Sequence, residues 1–120
     1  MKVLLSSFGS AGDVRPLLGV AHALKQAGHA VVALLDPAWC EIARGAGLDA
    51  HPFGDRWDSG SIANNPDWTH PRKGSVRMLQ ELIIPRTVDL VHGAREAAAD
   101  LKPDVLVGHH ISFGLPWVAA

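Results

Sequence analysis

The chain has 120 residues, of which 48% are hydrophobic and 19% charged, and its net charge is −1. This size and balance are typical of one globular domain and give no electrostatic reason to expect nucleic acid as a partner. The one cysteine, Cys40, excludes an internal disulfide, and the short apolar runs exclude a signal peptide and a membrane span, so we expect a cytoplasmic protein.

The first third of the chain alternates between apolar runs and a helical period. Residues 3–5 form a short apolar run, which predicts a buried strand. From Pro16, apolar residues recur every three or four positions up to Gly28, which predicts a helix with Pro16 in its first turn. Residues 30–35 are apolar throughout, as in a strand that is covered on both faces.

The rest of the chain continues this alternation around one long polar segment. Pro85 predicts a kink or a break in the helical pattern around it, because proline removes a backbone hydrogen bond. The further predicted elements are a helix at 37–46, a strand at 48–53, a loop at 54–73, helical stretches at 76–84 and 85–102, a strand at 104–108 and a helix from Leu115.

This order of elements predicts an α/β fold with a parallel sheet and right-handed crossovers. In a doubly wound, Rossmann-like sheet of four strands, the expected strand order is 3-2-1-4. Ligands bind such sheets in the crevice beyond the carboxyl ends of the strands, where the strand order reverses. We therefore expect the ligand-binding site at the loops that follow strands one and four.

The loop after strand one fits neither common phosphate-binding formula. The glycine positions of a dinucleotide fingerprint fall on Gly9, Ala11 and Val14, and the P-loop lysine is replaced by Asp13. Its backbone N–H groups still suit an anion at the start of a helix. Asp13 has two interpretations, a helix N-cap or a functional carboxylate.

Two histidines follow the fourth predicted strand. His109 and His110 should border the same crevice as Asp13, where an acid and an imidazole can abstract a proton together. The alternative is a purely structural role for each histidine. The chain has seven histidines, but none shows the spacing of a metal motif, so we predict no metal site.

Two tryptophans lie in the polar loop. Trp57 and Trp68 offer flat apolar surfaces for a sugar, sterol or macrocycle, or they attach the loop to the body of the domain. The amphipathic segment at 78–84 has two interpretations, core packing, which is favoured, and the wall of a pocket.

A set of spaced motifs resembles one enzyme family. These motifs are Gly9-Ser10-x-Gly12-Asp13-Val14-x-Pro16, then Ala27-Gly28-His29-x-Val31, then Gly47-Leu48, and finally the segment KPDVLVGHHISFGLPWVAA. Together they resemble the amino-terminal domain of GT-B fold glycosyltransferases of the family 1 and family 28 type, in the sterol, macrolide and glycopeptide branch.

The resemblance implies an inverting transfer of sugar from a nucleotide sugar, with UDP or dTDP as the nucleotide, to a hydroxyl of a lipophilic acceptor. It implies Asp13 as the base, with His109 or His110 assisting, and a donor and acceptor loop formed by Gly9, Ser10, Gly12 and Val14. Relatives often carry histidine in the first loop and aspartate after strand four, so the two residue types are exchanged here. No cofactor is implied, because the nucleotide sugar is a substrate.

The resemblance also implies that residues 1–120 are an incomplete acceptor-binding domain without the carboxy-terminal nucleotide-sugar domain, and that this chain alone is inactive. Strand four would then be an open edge that invites self-association or a partner chain. Two alternatives remain: a non-catalytic module that binds a ligand or supports a partner transferase, and an unrelated nucleotide-binding domain.

Overall fold

The computed structural model describes residues 1–58, 60 and 64–120. Residues 59 and 61–63 of the predicted long loop lie outside the described residues. Within the described part of the chain, no helix combines the length and the apolar character needed to cross a membrane.

Four parallel strands of the described chain form one sheet. They are β1 (Lys2–Ser6), β2 (Ala30–Leu35), β3 (Asp49–Pro52) and β4 (Val105–Gly108). The strand order is β3-β2-β1-β4, and each neighbouring pair is parallel. The predicted α/β class, Rossmann-like sheet and strand order are therefore confirmed.

Helices connect the strands and cover both faces of the sheet. They are α1 (Ala11–Gln26), α2 (Pro37–Gly45), α3 (Gly74–Met78), a π-helical turn (Leu79–Ile83), α4 (Ile84–Leu101) and α5 (Leu115–Ala119). Their order along the chain follows the predicted alternation, so each connection returns the chain to the start of the next parallel strand.

The alternation of side chains along the strands creates two cores. Val3 and Leu5 point to the α1–α2 face, where they pack with residues of α1 and α2. Leu4 and Leu34 point to the α4–α5 face, where they pack with α4 and α5. Because both faces are covered, β1 and β2 are apolar throughout rather than alternating with polar residues.

Helix α1 begins earlier than predicted. Its N-cap is Ser10, and Pro16 lies inside the helix rather than in its first turn. Pro16 has no N–H to bond the preceding turn. Complete burial of Val14 and the contacts between Ser10 and Asp13 stabilise this helix start despite the lost bond.

The predicted disruption at Pro85 takes the form of the π-helical turn. Ile84 N–H donates to the carbonyl of Leu79, five residues back, and Pro85 then continues directly into α4. Helical structure thus runs without a break from Gly74 to Leu101, with a wider turn in the middle.

Candidate functional site

The loops after β1 and β4 begin side by side. Ser6, the last residue of β1, is paired in register with Gly108, the last residue of β4. His109 N–H donates to the carbonyl of Ser6 at 3.0 Å, which extends the pairing by one residue. The sheet therefore brings Asp13 and His109 into one crevice, as the topology predicts.

The carboxylate of Asp13 is held by one of its two oxygens. Oδ2 accepts the Ser10 backbone N–H at 2.8 Å and the Ser10 hydroxyl at 2.9 Å. Asp13 is the third residue of α1 rather than its N-cap, and it contacts the N-cap from inside the first turn. The helix start therefore uses Oδ2 of Asp13, as the helix-capping interpretation requires, and leaves Oδ1 available to other groups.

Gly9 makes room for this carboxylate. Its φ is +122°, a left-handed conformation that side-chain-bearing residues rarely adopt. A Cβ on Gly9 would lie 2.5 Å from Asp13 Oδ2, far inside van der Waals contact. The loop therefore requires glycine here both for its backbone conformation and for the position of the acid.

The other predicted loop residues have different environments. Gly12 is exposed, and Ser10 contacts Asp13 as described. Val14 has no exposed surface and packs in the core of the α1–α2 face, so its side chain does not line the crevice. Val14 instead anchors the first turn of α1 to the sheet.

His109 faces the second oxygen of Asp13. Its Nε2 lies 3.7 Å from Asp13 Oδ1, longer than a direct hydrogen bond, with side-chain exposures of 14% for His109 and 33% for Asp13. His109 Nδ1 is buried and has no hydrogen-bond partner among the described residues. The His110 ring is exposed and lies 4.0 Å from the His109 ring, centroid to centroid, so it covers His109 rather than contacting the acid.

Buried polar atoms without a partner collect at this edge of the sheet. Among the described residues they are Ser6 Oγ, Asp36 Oδ2 and His109 Nδ1. Ser6 ends β1, Asp36 follows β2 and His109 follows β4. The unsatisfied polar groups of the domain therefore lie at the carboxyl ends of the strands, where parallel sheets bind ligands.

Trp57 and Trp68 both contact the helices beside the loop. The Arg86 guanidinium lies 5.8 Å from the centre of the Trp57 ring, and its Nη1 donates to the carbonyl of Asp55 at 2.8 Å. Trp68 Nε1–H donates to Glu81 Oε2 at 2.7 Å, and this bond, together with Arg77, lowers the pKa of the Glu81 carboxyl. These contacts support the loop-attachment interpretation, and acceptor binding by either tryptophan stays a prediction.

Two cavities adjoin the crevice. One, of about 360 Å³, is lined by the segment after β4, including His109, His110 and Phe113. The other, of about 250 Å³, is an apolar groove formed by the helical stretch through Pro85 and by the end of the chain. Its lining residues are Leu79, Ile83, Ile84, Thr87, Val88, Phe113 and Trp117.

The sequence alone does not show which side chains of α4 face this groove. Val88 is more than half exposed, while Thr87 and Leu90 are buried. Both interpretations of residues 78–84 describe part of the segment: Leu82 is buried, as core packing predicts, whereas Leu79 and Ile84 are exposed and line the groove. A usable signal was present in two pairs of large apolar residues four positions apart, Ile84 with Val88 and Phe113 with Trp117.

No group of three or more histidine, cysteine, aspartate or glutamate side chains that could hold a metal ion is found within residues 1–58, 60 and 64–120. The predicted absence of a metal cofactor stays a prediction.

Comparisons with known proteins give a consistent result. The family model of the glycosyltransferase family 28 N-terminal domain matches residues 3–120. Among solved structures, the glycosyltransferase SsfS6 from Streptomyces sp. SF2575 is 26% identical over 99% of this chain, with a TM-score of 0.77. A second structure of SsfS6 is complexed with thymidine diphosphate.

More distant structures share the fold. The glycosyltransferase SnogD from Streptomyces nogalater is 20% identical over 93% of this chain, with a TM-score of 0.67. This chain covers 36% of the length of SsfS6 and 28% of the length of SnogD, so it spans about a third of these enzymes. No curated protein matches the chain by sequence.

Proposed function

The chain belongs to the family of glycosyltransferase family 28 N-terminal domains, and from that premise we propose that it is the acceptor-binding part of an inverting glycosyltransferase. The donor is a UDP- or dTDP-sugar, and the acceptor is a hydroxyl of a sterol, a macrolide or another lipophilic natural product. The nucleotide sugar is bound mainly by a carboxy-terminal domain outside these 120 residues. The coverage of about a third of SsfS6 supports this division of the protein.

One observation carries the proposal: Asp13 has one oxygen committed to the helix start and one directed into the crevice. Oδ1 takes the proton of the acceptor hydroxyl as the oxygen of that hydroxyl attacks the anomeric carbon of the donor. The bond from that carbon to the diphosphate oxygen breaks, and the nucleoside diphosphate leaves with the electron pair. Attack from the opposite side inverts the anomeric centre.

His109 assists as a hydrogen-bond donor once its Nε2 comes closer to Asp13 Oδ1 than the 3.7 Å of this structure, as catalytic hydrogen bonds often do when substrate binds. A proton on its Nδ1 would be buried without an acceptor among the described residues, at a cost of about 1–3 kcal/mol. The neutral ring therefore carries its proton on Nε2, which faces Asp13 Oδ1. With its proton on Nε2, His109 has no basic nitrogen towards the crevice, so Asp13 is left to accept the proton.

The alternative function is a non-catalytic module that supports a partner transferase. One observation favours contact with other protein: β4 ends the sheet, and among the described residues it pairs only with β1. Two cavities of about 360 and 350 Å³ lie along this edge, between β4 and α5. A further strand, from the same protein or from another chain, would complete the hydrogen bonding of β4.

The test is sugar transfer by the protein that joins this domain to its carboxy-terminal domain, with nucleotide sugars and a panel of sterol and macrolide alcohols. Asparagine at position 13 keeps the size and an acceptor oxygen for Ser10 but does not take up a proton. We expect Asp13→Asn to lower kcat by about 100-fold or more, the usual contribution of general base catalysis. Asp49→Asn, at an exposed residue that begins β3, is the matched control and should retain activity.

Glycoside formation is followed by mass spectrometry and folding by circular dichroism. Sugar transfer that persists in the folded Asp13→Asn variant would show that Asp13 serves only to stabilise the helix start. Ligand binding without transfer in every variant would favour the supporting module. The cytoplasmic location and the lack of activity of the 120-residue chain by itself stay predictions.

A further inference from the structure

The sheet of the described residues has two edge strands, β3 and β4, and their outer edges differ. In a parallel sheet, alternate residues of an edge strand direct their backbone N–H and C=O groups away from the neighbouring strand. Such unpaired groups are a template on which another chain can add a strand. Whether an edge accepts a strand therefore depends on what already bonds these groups.

The outward backbone groups of β3 belong to Ala50 and Pro52. Phe53 N–H donates to the carbonyl of Leu35 in β2 at 2.9 Å, so residues 49, 51 and 53 face β2 and the two residues between them face outwards. Proline has no N–H to offer. The outer edge of this four-residue strand thus consists of one N–H group, from Ala50, and the carbonyl groups of Ala50 and Pro52.

Side chains bond both of these carbonyl groups. Arg44 Nη2, from the last turn of α2, donates to the carbonyl of Ala50 at 2.9 Å. His51 Nδ1 lies 2.9 Å from the carbonyl oxygen of Pro52, and because a carbonyl only accepts, this nitrogen carries a proton. Among the contacts of the described residues, the N–H of Ala50 is the one outward group of β3 that stays unbonded.

The outer edge of β4 lacks such contacts. His109 N–H donates to the carbonyl of Ser6, so residues 105, 107 and 109 face β1, and Leu106 and Gly108 face outwards. Within the part of the chain that the structure describes, no side chain bonds the N–H or C=O group of Leu106 or Gly108. The β4 edge therefore offers two donors and two acceptors to a further strand, whereas the β3 edge offers one donor.

Two open edges on one molecule would have a specific consequence. The outer edge of β3 in one copy could pair with the outer edge of β4 in the next copy, and each added copy would present a new β3 or β4 edge. Such a head-to-tail contact does not close on itself and produces a filament. Closing one of the two edges is enough to stop this growth.

We propose that Arg44, His51 and Pro52 close the β3 edge to strand addition, so that a second copy of this domain cannot pair there and the sheet extends only from β4. The two side chains bond the outward carbonyls, and the proline removes an outward donor. This inference goes beyond the proposed function, because no ligand and no reaction enters it.

The first experiment opens the β3 edge with Arg44→Gln and Pro52→Thr in one chain. Glutamine is polar but too short to replace the arginine contact with Ala50, and threonine restores an outward N–H in a residue type that favours strands. The matched control combines Arg95→Gln with Pro71→Thr, which removes the same charge and one proline at exposed positions on α4 and in the loop before α3. Sedimentation velocity over a range of concentrations measures self-association of the 120-residue chain, and circular dichroism checks that each variant is folded.

We expect the edge-opened variant to form oligomers at concentrations at least about tenfold lower than the wild type, because each strand hydrogen bond gained favours association. The control should sediment as the wild type does. Hydrogen exchange locates the contact: the amide of residue 50 should become protected in the oligomers of the edge-opened variant. His51→Ala alone should promote association in the same direction but less, and His92→Ala, at an exposed histidine on α4, should not.

A further variant distinguishes edge pairing from other kinds of association. Val105→Lys places a charge on β4, which deters strand addition there. Added to the edge-opened variant, it should remove oligomers larger than a dimer, because a filament needs both edges.

Four outcomes would overturn the proposal. They are an edge-opened variant that stays as monomeric as the control, oligomers without protection of the residue 50 amide, large oligomers that persist with Val105→Lys, and wild-type oligomers in which the Ala50 amide is already protected.

Discussion

The two faces of the sheet are built from the same strands, yet their outer surfaces differ. On the α1–α2 face, α1 exposes one large apolar side chain, Val20, and α2 exposes one, Ile42. On the α4–α5 face, a whole set of large apolar side chains is exposed around one groove. Those belonging to the helices and the segment before α5 are Val76, Leu79, Ile84, Val88, Phe113 and Trp117.

This difference in exposed apolar side chains distinguishes residues that stabilise the fold from residues that lie on a binding surface. Both faces have completely buried cores, with Leu5 under α1 and α2 and Leu90 under α4. The exposed residues of the α4–α5 face are therefore additional to its core and do not result from a core that is poorly covered. A contiguous apolar surface that the folding of these residues leaves exposed marks a binding surface, for a ligand or for another part of the protein.

The largest effect should come from removing core beneath the groove. Leu90 is fully buried, so Leu90→Ala should lower the free energy of unfolding by about 2–5 kcal/mol through lost burial and a cavity. Val88→Ala, two residues away and exposed, should change it by less than about 0.5 kcal/mol. Urea unfolding followed by circular dichroism measures both values. A large cost for Val88→Ala would show that the groove belongs to the core.

A smaller effect is expected at the edge where the two faces meet. Gly9→Ala introduces a side chain at φ +122° and against Asp13 Oδ2, which should cost about 1–3 kcal/mol and displace the acid. Gly19→Ala is the control, because a Cβ there meets nothing within 4 Å and an exposed helix gains about 0.5–1 kcal/mol from alanine. Thermal unfolding of the two variants should shift in opposite directions. Shifts in the same direction would contradict the strain assigned to Gly9.

The smallest effect concerns the thiol on the α1–α2 face. Burial raises the pKa of Cys40, and Arg44 opposes this only in part. A thiol with a raised pKa in the folded state stabilises the fold below its ordinary pKa, and this contribution is lost as pH rises above that value. Between pH ~7 and ~10 the wild type should lose slightly more stability than Cys40→Ala. Native Cys40 should also react slowly with iodoacetamide, and rapid alkylation of the folded chain would show that this face opens.

Much of the fold followed from local patterns. The runs that became β1 and β2 are apolar at every position because both of their faces are covered. The strand order followed from the general topology of alternating strands and helices, and it placed Asp13 beside His109. The start of α1 was predicted too late, because a rule about proline was given more weight than the Ser10 and Asp13 pair that begins the helix.

The groove could not be derived in the same way. Val88 and Val91 recur at helical spacing, and so do Thr87 and Leu90, so the spacing alone does not decide which pair faces the core. Trp68 bonds Glu81, thirteen residues later, a contact that depends on the path of a loop. Helical periodicity identifies an apolar stripe, but tertiary packing decides which part of the stripe stays exposed.

The two oxygens of Asp13 also bear on the engineering of this domain. Oδ2 accepts both donors of Ser10, and Oδ1 faces the crevice. Histidine at position 13 would offer, as a neutral ring, one acceptor nitrogen in place of two carboxylate oxygens, so it could not serve both the Ser10 donors and the crevice. The proposed base is therefore part of the first turn of α1, and its exchange for another residue type needs a compensating change at Ser10.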